Sequence, residues 1–313
     1  MPKTIPLRLD YDIRRLRADI ELLTSGPRPV LSAASGRRVV PLWRQTTVEV
    51  AAPGVPGKCG SGQETEWLRG LPYVAEALAS IPAPLRGARL LAQASQTSLR
   101  PHRIAKCGPR WGLCRLRLPI ITGPRAEVVF ADGEPQHLTA GVLWFGSFWE
   151  PHITTNNEPY EQIHLVIDVL HTPELAQLFP PDARRQVWEP LGLFLRPVRP
   201  LPPDGAFPYG CRFRIPESFT NREALGEILH DPFPDSADAR IHLGPDGPLL
   251  TIGPGIEHAL DHLGDGEFRL RGWSDERTLQ IVRADRVQPH VLLRVRNGPH
   301  EHALRVEVGE WPR

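Results

Sequence analysis

No run of about 18 consecutive apolar residues occurs anywhere in the 313-residue chain, which argues against a helical membrane span. A dominant charge of one sign is missing too. The formal balance is +1, so there is no global electrostatic case for a nucleic-acid or membrane partner. The first twenty residues, "MPKTIPLRLDYDIRRLRADI", lack the apolar core of a secretory signal and carry acids early. Cysteine is scarce: Cys59, Cys107, Cys114 and Cys211 are scattered, with no C-x-x-C pair. That spacing speaks against a zinc ribbon, and a disulfide framework is not expected without a signal. The expectation is reduced thiols in a cytoplasmic protein.

What is present describes a folded globular chain, with 41% hydrophobic and 23% charged residues. The length suits one large domain or two modest ones. Near the N-terminus, "DYDIRRLRADIELLT" places Leu16, Ile20 and Leu23 on one helical face, closed by Gly26-Pro27. "RRVVPLW" and "TTVEVAA" read as strands, "PGVPGKCGSGQE" as a loop, and "YVAEALASI" as a helix ended by Pro82. From about residue 87, short strand-like runs recur at near-regular spacing, with Asp132-Gly133 as a hairpin signal. They predict a sandwich or barrel. Residues 179–208 are proline-dense and read as a linker. Beyond it, residues 209–313 hold one helical pattern, "NREALGEILHD", and several strands. The clearest is the hairpin "HVLLRVRNGPHEHALRVEV" with Asn297-Gly298 at its turn. This part is expected to be a small α+β module without a catalytic motif.

Two histidines stand where chemistry could gather. His102 ends a strand in "SLRPHRI", and His152 follows the "GVLWF" strand in "WEPHITT". Either alone is accounted for by solvation or a hydrogen bond. In a jelly roll, however, two such strand ends can converge at the barrel mouth, where imidazole suits Fe(II). The basic cluster "RPHRIAKCGPRWGLCRLR" surrounds the first histidine, as a draw for an acidic ligand or as a solvated strand pair. Trp144, Phe145, Phe148 and Trp149 precede the second, as pocket lining or as core.

The segments "CRLRLPI", "GVLWFGSFWEPH" and "IHLVIDVLHTPEL" resemble, in order and spacing, the aspartyl/asparaginyl β-hydroxylase family. The likeness spans roughly residues 85–176. It implies a double-stranded β-helix (jelly-roll, cupin-like) core over residues 1–178, mainly β with flanking helices. It also implies Fe(II), 2-oxoglutarate as co-substrate, and hydroxylation of an aspartyl, asparaginyl or prolyl group in a peptide or free amino acid. By the same likeness, His102 and His152 would hold the metal and Arg117 would contact the co-substrate. Asp168 and His171 are read as structural, with Asp168 bonded to neighbouring backbone.

Two positions depart from the family. Many members have a carboxylate where this chain has Ile104. The family's arginine for the distal carboxylate of 2-oxoglutarate is replaced by Gln162, a neutral amide in place of a bidentate cation. By the period of two, His164 shares the face of Gln162, while Ile163 and Leu165 point the other way. His164 is thus an interior polar residue, a co-substrate contact or a structural histidine. The alternative to an enzyme is a non-catalytic relative that binds a ligand or serves as a scaffold.

Overall fold

The computed structural model describes residues 2–25, 36–45, 57–59, 62–131, 133–202, 207–220, 236–253, 256–284 and 287–310. The chain forms two compact units. One comprises residues 1–44, 62–109 and 113–192, and the other residues 45–61, 110–112 and 193–313. The proline-dense stretch 179–208 is therefore divided between them. No helix among the described residues is long and apolar enough to cross a membrane.

In the first unit, β1 (Thr4–Asp10) leads into α1 (Ile13–Ser25), where Asp12 Oδ1 accepts from the backbone N–H groups of Arg14 and Arg15. That satisfies donors the first helical turn leaves open. Leu16 and Ile20 are buried as their spacing predicts. Next come β2 (Arg37–Gln45), then β3 (Gly57–Cys59), which belongs to the second unit, and β4 (Gly62–Glu64). The helices α2 (Glu66–Arg69) and α3 (Pro72–Ala79) follow. The remaining strands are β5 (Leu85–Gln93), β6 (Thr97–Ser98), β7 (Leu113–Ile121), β8 (Ala126–Phe130), β9 (Val142–Gly146), β10 (His152–Asn156) and β11 (Gln162–Leu170). The strand β1 was not legible from its sequence. "TTVEVAA" and Asp132 lie outside the described residues.

These strands make a seven-stranded sheet, β1-β9-β7-β11-β5-β2-β4, and a three-stranded sheet, β6-β10-β8. The second is extended by a bridge from Val128 to Gln136. Successive strands from β5 to β11 thus alternate between sheets, which is the winding of a jelly roll. On the larger sheet one face is apolar: Leu90, Leu116, Leu118, Leu165 and Ile167 are buried, with α1 against β7. The opposite face carries Arg37, Gln93, Gln162, His164, Arg117 and Asp168. It looks toward the three-stranded sheet, since Gln93 Nε2 donates to the Thr154 carbonyl across the gap (3.2 Å). A buried face written in arginine, histidine and glutamine is costly to desolvate.

In the second unit, β12 (Cys211–Pro216), β13 (Ser236–Gly244), β14 (Gly247–Ile252), β15 (Ile256–Gly264), β16 (Glu267–Leu270), β17 (Arg277–Ala284), β18 (Val287–Asn297) and β19 (His300–Glu310) pair in sequence, all antiparallel. β19 returns to β12, closing an eight-stranded meander barrel, and β3 pairs in parallel with β15. The expected α+β module is therefore a closed barrel in its described part. One short helix lies at Glu217–Thr220, and "NREALGEILHD" lies outside the described residues. Alternate residues such as Phe213, Ile241, Phe268, Leu279, Val291 and Leu293 form one buried cluster. Eight strands give a lumen that side chains can just fill. The hairpin closes on the pair Asn297–His300, so the loop is Gly298-Pro299, one residue later than predicted. Gly298 has φ +60°, the conformation a type II′ turn places at its first central residue.

Candidate metal centre

His102 and His152 face each other as an isolated antiparallel bridge. The His102 backbone N–H donates to the His152 carbonyl at 3.0 Å, and His152 N–H donates back at 2.9 Å. Their ring centroids are 4.4 Å apart. The pairing spans the end of the β6 segment and the start of β10, so two residues fifty apart in sequence become neighbours through backbone bonds.

Each ring has the same internal wiring. His102 Nδ1 donates to the Arg100 carbonyl (3.0 Å), and His152 Nδ1 donates to the Glu150 carbonyl (2.9 Å). A carbonyl only accepts, so Nδ1 holds the proton and the neutral ring keeps its lone pair on Nε2. This is the arrangement a metal-ligating histidine uses, with the outer nitrogen fixed by backbone. His152 is 1% exposed, and its Nε2 is buried without a partner. Burial pushes its pKa down to about 4, and the charges of Arg117 and Arg37 add to the shift. His102, half-buried at the open side, is also lowered, mainly by burial. Both rings are thus held neutral, the form that binds a cation. These features fit a divalent metal.

The walls of His152 are aromatic, with Phe148 at 5.1 Å and Phe130 at 5.6 Å between centroids. A Cβ on Gly146 would come within 2.5 Å of the Phe148 ring, so the glycine permits that close approach. Phe148 also lies under the Arg117 guanidinium, 4.1 Å from its carbon. Of the four aromatics before His152, Phe148 therefore touches the site. Phe145 packs into a core cluster with Phe179 and Trp188. Ile104 turns toward the apolar cluster of Val128, Phe130, Leu138 and Phe148. It fills with hydrocarbon the position where many relatives of the suggested family place a carboxylate. Among the described residues, no three His, Cys, Asp or Glu side chains converge.

Arg117 is 4% exposed, and its Nε is buried with no partner. Burial, together with the nearby charges of Arg115, Arg37 and Arg89, lowers it to about 9. Gln162 and His164 do share one face with Arg117. All three line a cavity with Thr154 and Val128 that has about the room of one water molecule. The Gln162 amide is engaged, with Nε2 donating to Gln93 Oε1 at 2.9 Å. His164 is held near 3 by burial and the Arg117 charge.

Asp168 differs from its sequence reading. It binds side chains rather than neighbouring backbone, accepting from Arg115 Nε (2.6 Å) and Nη2 (2.7 Å) and from Arg89 Nη1 (3.1 Å). Burial alone would raise this carboxyl, but the two guanidinium groups hold it below its usual value. His171 lies edge-on to Trp188, with centroids 4.1 Å apart, in the core. Cys107 and Cys114 are buried free thiols. Sequence reasoning passed over Arg37 and Gln93. Their signal was available in the alternation of "RRVVPLW" and in the strand before "ASQTS".

No family model matches the chain, and no curated protein matches it. Among solved structures, similar chains include an oxidoreductase of the 2OG-Fe(II) oxygenase family from Burkholderia pseudomallei. It is 14% identical at TM-score 0.36, over 51% of this chain and 80% of that one. A Pseudomonas putida prolyl-4-hydroxylase is 15% identical at TM-score 0.32, over 54% and 92%. The non-heme alpha-ketoglutarate-dependent epimerase SnoN is 16% identical at TM-score 0.35, over 54% and 76%. None of these matches singles out the aspartyl/asparaginyl β-hydroxylases. The fold assignment above rests on strand order.

Proposed function

We propose that the first unit is an Fe(II)- and 2-oxoglutarate-dependent hydroxylase acting on an aspartyl, asparaginyl or prolyl group of a peptide or a free amino acid. The observation that carries this reading is the His102–His152 pair, with each Nδ1–H tied to a backbone carbonyl and the His152 Nε2 buried and unpartnered. Bound iron would supply the oxidation of an unactivated C–H bond with O₂ and a 2-oxo acid. The chain's own residues do the rest. His102 and His152 present Nε2 to the metal. Phe130 and Phe148 keep water off His152. Arg117 offers an unneutralised guanidinium to an anionic co-substrate. With Ile104 in the third place, His102 and His152 would be the two side chains that hold the metal.

A second reading has its own observation. Gln162 is spent on Gln93, and the cavity behind it has room for one water, so the interior as folded does not admit a 2-oxo acid. That favours a non-catalytic relative, or a co-substrate seated at the open side beside His102. Anaerobic Fe(II) with 2-oxoglutarate separates the two. The hydroxylase reading expects a visible charge-transfer band and a rise in Tm, both lost in His102→Ala. Absence of band and shift in the wild type would leave the ligand-binding or scaffold reading. Gln162→Arg is a further probe. If it tightens 2-oxoglutarate binding at least about tenfold, position 162 is the vacated anchor.

A further inference from the structure

We propose that Arg37 anchors a carboxylate-bearing small anion against the His102–His152 pair, supplying from β2 the charge that position 162 lacks. The inference rests on the metal-site reading above and adds to it the residue that selects the ligand.

The first support is register. Arg37 lies directly opposite Gln93, and Gln93 directly opposite Gln162. Residues opposite one another in neighbouring strands point to the same face. Arg37, Gln93 and Gln162 thus form one row across β2, β5 and β11, with the arginine two strand spacings, about 10 Å, from position 162. The two amides between are fixed. Gln162 Nε2 is bound to Gln93 Oε1, and Gln93 Nε2 to the Thr97 and Thr154 carbonyls.

The second support is where the guanidinium goes. Arg37 Nη2 donates to Thr154 Oγ1 at 3.2 Å. Thr154 stands two residues from His152 on the same buried face of β10. The Arg37 Nε is buried and has no partner. Arg37 also lowers the pKa of both His102 and His152, as a cation close to them would.

The third support is charge. Arg37, Arg89, Arg115 and Arg117 influence one another across this face. Among the described residues the one carboxylate paired within the group is Asp168, which Arg89 and Arg115 share. Four cations against one anion leaves a surplus of three. An anion at the Arg37 end of this face, at the open side beside His102, relieves part of it, and a planar carboxylate matches a guanidinium fork in less room than a tetrahedral oxyanion needs.

Isothermal titration of the full chain with 2-oxoglutarate, succinate and phosphate tests this, once in EDTA and once with Mn(II). The proposal expects a dicarboxylate to bind in both conditions and phosphate to bind more weakly. Arg37→Met should weaken dicarboxylate binding at least about tenfold, with Arg37→Lys between the two. Circular dichroism reports that the variants are folded. Wild-type affinity in a folded Arg37→Met protein would overturn the proposal, as would a wild type that binds neither dicarboxylate or prefers phosphate. If Mn(II) fails to bind while dicarboxylate binding still depends on Arg37, the metal reading falls and this one stands. If Mn(II) binds and Arg37→Met changes nothing, this one falls alone.

Discussion

Arg117 in the jelly roll and Arg269 in the meander barrel are equally buried, at 4% exposure each, yet they keep opposite company. Arg269 binds Asp275 at 2.9 Å and Asp261 at 3.3 Å, within a network that also joins Arg196, Arg271 and Arg296 to Glu267 and those aspartates. Arg117 has an aromatic face beneath it and, among the described residues, no carboxylate paired with it. The histidines repeat the contrast. His262 in the barrel also ties Nδ1 to a carbonyl, that of Pro200, and also has an orphaned Nε2. But its ring contacts are Tyr209 and Phe268, which also touch each other, and among the described residues no second imidazole faces it. Desolvating a charge costs several kcal/mol. The barrel offsets that cost internally by pairing, and so uses its arginines as structure, fastening the segment around Arg196 to its wall. Among the described residues the jelly roll leaves that cost open at Arg117, near the two histidines proposed to hold the metal, which is where a ligand would offset it.

The contrast can be broken from the barrel side first. Asp275→Ala leaves Arg196 and Arg269 without their shared anion, and should destabilise the second unit by about 3–5 kcal/mol in urea. A loss under about 1 kcal/mol would mean the network is solvated. Acid should separate the units next. His164 and His171 are both held near 3 by burial, while in the unfolded chain they take protons below about 6.5. The unfolded state therefore binds more protons between these values, and the stability of the first unit falls as pH drops from about 6.5 toward 3. Glu267 is held near 2: burial opposes ionisation, but Arg196 and Thr278 bonds override it. Its contribution is present above about 4.3 and is lost only as pH falls toward 2. Hydrogen exchange corrected for intrinsic rate should thus show β7 and β11 opening between pH 6.5 and 5, while β16 to β18 stay protected. Simultaneous opening would contradict the assignment.

Arg117→Met is the complementary change. Removing an unpaired buried cation relieves desolvation but forfeits about 1–2 kcal/mol of contact with Phe148. Stability should stay within about 1 kcal/mol of wild type while anion binding is lost. A loss above about 3 kcal/mol would show that Arg117 has a structural partner after all. The smallest effect belongs to Gly298→Ala. Its φ of +60° makes the substitution cost about 1 kcal/mol, read as faster exchange in β18 and β19 alone.

Much of this was legible in the residues. Alternation and turn chemistry located β5, β7, β8, β9 and β11, while "HITTN" of β10 read as a polar run, and it was the family likeness rather than spacing that singled out His102 and His152 together. The period of two put Gln162 and His164 on one face. What escaped were long-range facts. "TIPLRLD" lies beside the stronger helical pattern of α1, so its pairing with β9 left no local mark. The barrel looked like a loose α+β module because closure of β19 on β12 is a register between ends about a hundred residues apart. Arg37 was passed over because the alternation of "RRVVPLW" gives only its face within β2, and the row through Gln93 is needed to show that it shares the face of Gln162. Asp168 was assigned to backbone because sequence gives no measure of how near Arg115 and Arg89 come.

His102 and His152 are proposed to present Nε2 to one divalent ion. Proton NMR of the Co(II)-loaded protein addresses it directly, because the Nδ1–H protons of metal-bound histidines are strongly shifted and exchange slowly when held by carbonyls. The prediction is one Co(II) per chain and two such shifted signals, with His152→Ala abolishing binding and His102→Ala sharply weakening it. Absence of shifted histidine protons, or Co(II) binding that survives both substitutions, would contradict it.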